Sequence, residues 1–343
     1  MTINNEHKKL NVPNLRFPEF QGEWKKTTIG DIADLYKGTG ISKDQLSDDG
    51  EPCILYGELY TKYKSETIRE VISKTNIDNT KLVRSKANDV IIPCSGETAE
   101  DIATARCVLN GNILLGGDLN IIRLHGYDGA FMSYQLNGRR KYDIAKVAQG
   151  VSVVHLYGEH LKGVKTINPC LEEQKKIAKL LSLLDERIVT QNKIIDKLQS
   201  LIKGIAQKIV HSNKPNVCLS ECLECKTSTL QESDVCEHGV YPVYGANGIV
   251  GYLDNYNTEG EAVYIIKDGS GVGTVSYVKG KCSATGTLNT LQAKEGYSLQ
   301  YLYYLLKVFN FEPYKTGMAI PHIYFKDYGK AKVFCPSYTE QLQ

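Results

Sequence analysis

Residues 317–324 have the sequence Gly-Met-Ala-Ile-Pro-His-Ile-Tyr, which indicates how this chain is built. This stretch repeats the Gly-Val-Ser-Val-Val-His-Leu-Tyr sequence of residues 150–157 at an offset of 167 residues. Between residues 150–176 and 317–343, seven identities fall in 27 ungapped positions, including a Glu-Gln pair near the end of each stretch. Unrelated loops rarely share this much, so the sequence predicts a duplicated domain.

The repeat extends towards the N-terminus at slowly changing offsets. Matched segments lie at 29–35 and 219–225, 90–92 and 263–265, 95–96 and 270–271, 119–120 and 288–289, and 131–134 and 301–304. Each copy consists of short β-rich runs bounded by Gly, Asn and Asp, with one short helix in its last third. The prediction is an α+β chain with two β-rich domains, the second shorter between the counterparts of residues 56 and 90.

Size and composition limit the class of protein. The 343 residues suffice for two domains, and 41 basic residues nearly balance 39 acidic ones. The sequence contains no apolar run of the roughly 18 residues that cross a bilayer, and residues 1–9 are polar. These features predict a cytoplasmic protein whose ten cysteines are mostly reduced thiols.

Between the two copies lies a heptad pattern that predicts a long helix over residues 171–212. Its seam repeats at alternating steps of four and three residues: Ile177, Leu181, Leu184, Ile188, Gln191, Ile195, Leu198, Ile202, Ile205 and Ile209. Charged and amide residues flank the seam, as in a coiled coil, and Asn213 with Pro215 predicts the end of the helix. A narrow apolar seam needs a second helix to cover it.

These motifs together resemble a known family. A β-rich domain opens near residues 15–31 and closes on Gly150, His155 and Tyr157, followed by Pro169, then Glu173-Gln174 and Ile177-Ala178. A heptad helix follows, and then the domain repeats. The chain therefore resembles the DNA-specificity subunit of type I restriction–modification systems.

The resemblance implies an architecture, a function and a set of partners. It implies a first target-recognition domain (residues 1–170), a spacer helix (171–212), a second recognition domain (213–336) and the start of a second spacer helix (337–343). Each recognition domain would read half of a bipartite target in double-stranded DNA. The partners would be methyltransferase subunits and an ATP-dependent restriction subunit, and the specificity subunit itself would have neither catalytic centre nor cofactor.

The sequence departs from the family at its second helix. Family members carry another heptad segment after the second recognition domain, which covers the seam of the first helix. Here that segment only begins at residues 337–343. Three explanations stay open: a truncated or phase-variable allele, a helix supplied by another chain, or an incomplete sequence. An uncovered seam favours self-association.

Candidate DNA contacts are basic and small polar residues in loops, since phosphates are bound by such side chains and bases by a few that enter the groove. In the first copy they are Lys37, Thr39, Ser42, Lys43, Lys62, Tyr63, Lys64, Ser95 and Ser152. In the second copy they are Lys226, Thr227, Tyr244, Asn247, Ser270 and Met318.

Other chemistry is less well supported. Cys218, Cys222, Cys225 and Cys236 have spacings that zinc ligands use, but Cys222 and Cys225 occupy the positions of Ile32 and Leu35 in the first copy, which predicts apolar packing. The glycine-rich residues 269–274 lie between β-like runs, which predicts a hairpin turn rather than a dinucleotide site. His155 and His322 lack a paired nucleophile, so a structural role or a hydrogen bond near DNA is expected.

Two further function classes stay open at this point. One is a coiled-coil interaction protein that does not bind DNA, and the other is a stand-alone zinc enzyme. Salt-dependent binding to duplex DNA would distinguish the first from a DNA reader, because phosphate contacts require a steep salt dependence.

Overall fold

The structure is a computed structural model that describes residues 12–78, 80–150, 153–317 and 319–343. The chain divides into two compact units, unit 1 at residues 1–191 and unit 2 at residues 192–343. The boundary falls within the long helix, so each unit includes one half of it.

Unit 1 is a mixture of short strands and short helices. Its strands are β1 (Lys25–Thr28), β2 (Ala33–Lys37), β3 (Leu46–Ser47), β4 (Glu51–Ile54), β5 (Thr67–Ile68), β6 (Ser73–Thr75), β7 (Asp89–Pro93), β8 (Ser95–Gly96), β9 (Arg106–Val108), β10 (Leu114–Leu115), β11 (Leu119–Leu124), β12 (Val154–His155) and β13 (Lys165–Asn168). Its helices are α1 (Ile29–Ile32), α2 (Glu58–Thr61), α3 (Ala99–Ile102), α4 (Gly129–Asn137), α5 (Lys141–Val147), α6 (Gly158–Lys162) and the first part of α7 (Leu171–Ser212).

The core of unit 1 lies on the two faces of one sheet with the order β2-β11-β7-β9-β5. Its central strands are apolar on both faces, as in Val90, Ile91 and Ile92, all fully buried. One face packs on α4 through Met132 and Leu136. The other face packs on Ile54 and Leu115, which belong to a second sheet with the order β10-β4-β6-β3.

Unit 2 has the same architecture with fewer elements. Its strands are β14 (Val217–Cys218), β15 (Leu223–Thr227), β16 (Tyr241–Gly245), β17 (Gly248–Leu253), β18 (Glu261–Ile266), β19 (Val275–Lys279), β20 (Ser283–Ala284), β21 (Leu288–Ala293) and β22 (Lys332–Val333). Its helices, besides the second half of α7, are α8 (Leu219–Cys222), α9 (Leu299–Val308), α10 (Phe325–Tyr328) and α11 (Tyr338–Gln341).

The strand order confirms the duplication. The main sheet of unit 2 has the order β15-β21-β18-β19, which matches β2-β11-β7-β9 of unit 1. The small antiparallel pair β14-β22 matches β1-β13. Unit 1 adds α2 and β5 between residues 56 and 90, where the sequence predicts the longer copy. The predicted late helix is present in both units, as α4 and α9.

The pairing corrects one of the predicted matches. Ser95 pairs with His155, and the equivalent residue His322 pairs with Asp268. Ser95 therefore corresponds to Asp268 and not to Ser270, since the offset of 173 that matches Val90 with Val263 continues through this turn. The glycine-rich residues 269–274 connect the antiparallel strands β18 and β19, as predicted.

The long helix α7 has the predicted bounds, and Asn213 ends it by donating a side-chain hydrogen bond of 2.8 Å to the carbonyl of Ile209. A coiled coil is not confirmed. Ile188, Ile195 and Leu198 are 58%, 48% and 52% exposed, because no other helix of the described residues covers this part of the seam. Among the residues that the structure describes, no helix is long and apolar enough to cross a membrane.

Cys222 is confirmed as a core residue. It is fully buried in the apolar core of unit 2, where its Sγ lies 3.8 Å from that of Cys335, and Cys225 is half-buried against the same core. Burial raises the pKa of the Cys225 thiol to about 11. The described His, Cys, Asp and Glu side chains form no group of three or more arranged to hold a metal ion.

Candidate nucleic-acid interface

Three of the predicted contacts in unit 1 line one pocket. Ser42, Lys43 and Lys62 border a cavity of about 550 Å³, hereafter the unit 1 pocket. Its remaining walls include Tyr56, Tyr60, Gly117 and Asp118. Ser42 begins a short 3-10 helix, in which its backbone N–H donates to Gln45 Oε1 at 3.0 Å. The fold thus brings residues that are far apart in the sequence to one cavity, whose walls combine apolar and aromatic side chains with these polar ones.

A buried carboxylate organises the wall of this pocket. Glu58 is only 5% exposed, and its side chain accepts hydrogen bonds from Lys62 Nζ at 2.6 Å, from the Leu55 backbone N–H at 3.0 Å and from Ser73 Oγ. The side chain of Lys62 is itself 40% exposed. Because the Lys62 ammonium is paired with Glu58, Lys62 stabilises the wall of the pocket. It also places a positive charge at the pocket.

The other predicted residues of unit 1 differ in accessibility. Lys37, Thr39 and Lys64 are exposed, and Thr39 Oγ1 accepts a hydrogen bond from the backbone N–H of Val83 at 3.1 Å. Tyr63 is 7% exposed and packs in the core, and Ser95 is 8% exposed. Burial leaves these two predicted DNA contacts little surface for a ligand, and we expect their side chains to stabilise the fold instead. Ser152 lies outside the described residues.

The predicted contacts of unit 2 lie on β15 and on loops. Lys226 and Thr227 are exposed at the end of β15, where Lys226 Nζ donates to Gln292 Oε1 at 3.1 Å. Asn247 is exposed in the two-residue turn of the β16–β17 hairpin, which closes on the pair Gly245 and Gly248. Gly248 has a φ of +104°, a conformation that favours glycine.

Three more predicted residues complete the unit 2 set. Tyr244 is half-buried, with its ring centroid 5.7 Å from that of Tyr264. Ser270 is exposed, and Met318 lies outside the described residues.

Sequence reasoning missed Asp268 and Lys267. His322 Nδ1 lies 2.6 Å from Asp268 Oδ1, within hydrogen-bond distance, and both side chains are half-buried. The backbone carbonyl of Lys267 accepts a hydrogen bond from the Ile323 N–H at 2.9 Å. An offset of 173 residues, continued through residues 94–95, would have matched them with Lys267 and Asp268. The Ser-Gly pair two residues later in the second copy gave an incorrect match instead.

The helix seam forms a second candidate surface in unit 2. Ile202, Ile205 and Ile209 line an apolar groove of about 470 Å³, together with Tyr301 and Tyr304 of α9. The chain's last residues, 340–343, border the same groove. The corresponding face of unit 1 is covered differently, because Tyr134 of α4 donates a hydrogen bond to Asp185 of α7.

Comparison with known proteins places the chain in a family. The model of the type I restriction modification DNA specificity domain matches residues 21–200 and 212–343. The chain is 29% identical over 196 residues to the MjaVIII specificity subunit of Methanocaldococcus jannaschii, an alignment of 57% of this chain and 43% of that protein. It is 28% identical over 106 residues to the EcoprrI specificity subunit of Escherichia coli, covering 31% of this chain and 26% of that protein.

A solved structure has the same fold. The type I restriction-modification S subunit from M. genitalium superposes with a TM-score of 0.68 at 20% identity, over 93% of this chain and 86% of that one. The aligned stretches thus span less than half the length of the two relatives above, whereas the structural match covers most of both chains. Since the family model matches both copies of the repeat, the chain belongs to the family of type I restriction–modification specificity subunits.

Proposed function

We propose that this chain reads a bipartite target in double-stranded DNA, with each unit reading one half, and carries no catalytic centre of its own. The observation that supports this most strongly is the repetition of one sheet order in two units joined by α7. Two similar readers on one chain suit a target with two half-sites, which are spaced about 34 Å apart when they lie one helical turn apart.

The base-reading residues are proposed to be those that differ between the units. In unit 1 they are Ser42, Lys43 and Lys62 around the unit 1 pocket, with the exposed Lys64 beside them. In unit 2 the hairpin turn with Asn247 takes this role, because an amide can form the paired hydrogen bonds that distinguish adenine. Different side chains and loop lengths at these places would read different half-sites.

The proposed partners are the methyltransferase subunits and the ATP-dependent restriction subunit of a type I system, in the cytoplasm. The exposed seam of α7 supports a docking role for this helix, since Ile188 and Leu198 are more than half exposed. The apolar groove of unit 2 would take the second helix, supplied by another chain or by a further segment. Lys37, Thr39, Lys226, Thr227, Tyr244 and Ser270 stay in the proposal as DNA contacts, and so do Ser152 and Met318.

The test is to express the chain with methyltransferase subunits in a host without adenine methylation, and to map methylated adenines across its genome. We expect methylation at one motif with two specific halves and a nonspecific spacer. Replacing Ser42 and Lys43 by Ala should relax only one half of the motif, and Asn247→Ala only the other. Variants that relax the same half would contradict the assignment of one half-site to each unit.

A second candidate function is a coiled-coil interaction protein that does not bind DNA, which the exposed seam also favours. Titration of the purified complex with duplex DNA at several salt concentrations distinguishes the two. A DNA reader loses affinity steeply as salt rises, because each phosphate contact releases condensed counterions. Binding that is absent at low salt would support the interaction protein.

A further inference from the structure

One pattern of side chains occurs at the same place in both units, with identical His and Tyr residues and Val153 matched by Ile320. In unit 1, Val153, His155 and Tyr157 alternate with buried residues, and Val153 and Tyr157 are 52% and 53% exposed. In unit 2, Ile320 and Tyr324 are 58% and 47% exposed on either side of the half-buried His322. We refer to these two triplets as the repeated faces.

The fold explains the glycine and glutamine identities of the repeat. Gly150 and Gly317 have φ values of +125° and +90°, and a Cβ there would lie 2.0 Å and 2.3 Å from the carbonyl oxygens of Val153 and Ile320. Gln174 and Gln341 are buried and hydrogen-bonded.

The His and Tyr rings of each face stack on each other, with centroids 6.2 Å apart in unit 1 and 6.5 Å in unit 2. About half of each tyrosine remains open to solvent. Neither tyrosine hydroxyl has a hydrogen-bond partner among the described residues. Tyr157 also contacts the His160 ring, and the Lys326 ammonium lies over the Tyr324 ring, but these contacts leave about half of each tyrosine exposed.

Each repeated face is connected by hydrogen bonds, through one residue, to the loop that leads into β11 in unit 1 and into β21 in unit 2. Cys94 makes this connection in unit 1, because its carbonyl accepts from Leu156 of the face at 2.7 Å and its N–H donates to Asp118 of the unit 1 pocket at 2.6 Å. In unit 2 the equivalent residue, Lys267, accepts from Ile323 at 2.9 Å and donates to Thr287 at 3.0 Å. The faces thus lie at the sheet end where the candidate DNA contacts are.

A lysine ammonium stands at this sheet end in both units, although different strands provide it. Burial raises the pKa of the Cys94 thiol to about 12, and the nearby Lys37 ammonium opposes that rise. In unit 2, Lys267 has the same effect on Cys225, whose pKa burial raises to about 11. Lys267 occupies the position of Cys94, while the position of Lys37 holds Thr227. Each unit therefore has a lysine beside its repeated face, since Lys37 pairs with Asn120, whose side chain donates to the Leu156 carbonyl at 2.9 Å, and the Lys267 carbonyl accepts from Ile323.

We propose that the two repeated faces, with Lys37 and Lys267, bind the phosphodiester backbone of DNA in the same way at both half-sites. This inference rests on the proposed function. The two half-sites share their sugar-phosphate chains but not their bases, so identical exposed residues suit the backbone and different ones suit the bases. Tyrosine hydroxyls and lysine ammoniums donate to phosphate oxygens, and Val153 and Ile320 provide apolar contact for deoxyribose.

The experiment uses the complex of this chain with its methyltransferase subunits and duplexes with and without the mapped target. Tyr157→Phe and Tyr324→Phe remove only the hydroxyl and keep the stacked ring. Each should weaken binding by about tenfold, the size expected for a lost hydrogen bond to a charged group. The factor should be the same for the duplexes with and without the target. The methylated sequence and the co-purification of methyltransferase subunits should not change. His155→Ala should weaken binding to both duplexes by one common factor too.

The lysines have a separate readout. Lys37→Gln should lower the slope of log affinity against log salt by about one, because one phosphate contact is lost. Lys25→Gln, on exposed β1, is the matched control and should leave the slope unchanged.

Three results would overturn the inference while leaving the proposed function standing. The first is unchanged DNA affinity in both Phe variants. The second is a relaxed methylated sequence, which would mean that the faces read bases. The third is loss of methyltransferase binding at unchanged DNA affinity, which would mean that the faces bind a protein. A wild-type complex that binds no duplex would overturn the proposed function, and this inference with it.

Discussion

The side chain of Gln174 in α7 accepts a hydrogen bond of 2.9 Å from the backbone N–H of Asp128, the residue that caps α4. Its amide nitrogen donates to the carbonyl of Pro169 at 2.8 Å. Gln341 makes the same two bonds in unit 2, to the Ser298 N–H and the Pro336 carbonyl, both at 2.8 Å. The repeated Pro and Gln therefore act together: they connect the start of α7 to the N-cap of α4 in unit 1, and the start of α11 to the N-cap of α9 in unit 2.

Replacing either glutamine by Ala should destabilise its own unit by about 1–3 kcal/mol, since a buried backbone N–H and a carbonyl lose their partner. Thermal and denaturant unfolding of the variants would measure this. Gln199→Ala, on an exposed part of α7, is the control and should change the stability by less than about 0.5 kcal/mol. Equal stability of all three variants would contradict this connecting role.

Tyr134→Phe should destabilise unit 1, because the Tyr134 hydroxyl donates to Asp185 Oδ2 at 2.5 Å and ties α4 to α7. A loss of about 1–2 kcal/mol is typical for such a bond. Tyr304 occupies the equivalent position in unit 2 and lines the apolar groove, where its hydroxyl has no partner among the described residues. Tyr304→Phe should therefore leave the unfolding transition of the isolated chain unchanged, and a matching loss would contradict this contrast.

Charged substitutions in the seam should change association rather than folding. Ile195 and Leu198 are 48% and 52% exposed, so replacing both by Lys removes little buried surface. We expect the melting temperature of the isolated chain to stay within a few degrees, while oligomers seen by light scattering dissociate. Replacing the buried Ile144 by Lys is the contrasting control, which should unfold unit 1. Wild-type protein that is monomeric at all concentrations would contradict an associating seam.

Stability should fall at alkaline pH through the buried thiol Cys94. Burial raises its pKa in the folded state from an ordinary value of 9.0 to about 12. Above pH 9 the unfolded chain releases this proton while the folded chain retains it. The contribution is therefore complete below pH 9 and is lost as pH rises towards 12. Denaturant unfolding at pH 8, 9, 10 and 11 should show a shallower decline for Cys94→Ala than for the wild type, while Cys236→Ala, at an exposed position, should match the wild-type decline.

Much of the architecture could be predicted from local patterns. The heptad repeat predicted α7 to its last residue, because helix periodicity and the stop signals at Asn213 and Pro215 act over a few residues. The duplication followed from identities such as Gln174 and Gln341, which repeat because the same hydrogen bonds are made twice. Cys222 was predicted to be buried, since its counterpart Ile32 must pack in the same way.

The candidate site was predicted less well, since accessibility depends on contacts between distant residues. Tyr63 and Lys62 are neighbours in one polar run, yet the fold buries Tyr63 and ties Lys62 to Glu58 at the pocket wall. The match of Ser95 with Ser270 was wrong. It relied on the identity of two neighbouring residues, whereas the correct match is set by backbone pairing with a distant strand, which leaves no local signal in the sequence.

The sequence by itself determined that the chain is a duplicated α+β protein with a long helix between the copies, since repeats and periodicity are local properties that a sequence carries directly. Only the tertiary structure decided which polar residues share a pocket, which are buried, and which repeated residues remain exposed. Those properties arise when strands such as β2, β7 and β11, far apart in the chain, are hydrogen-bonded into one sheet and bring their loops to one end.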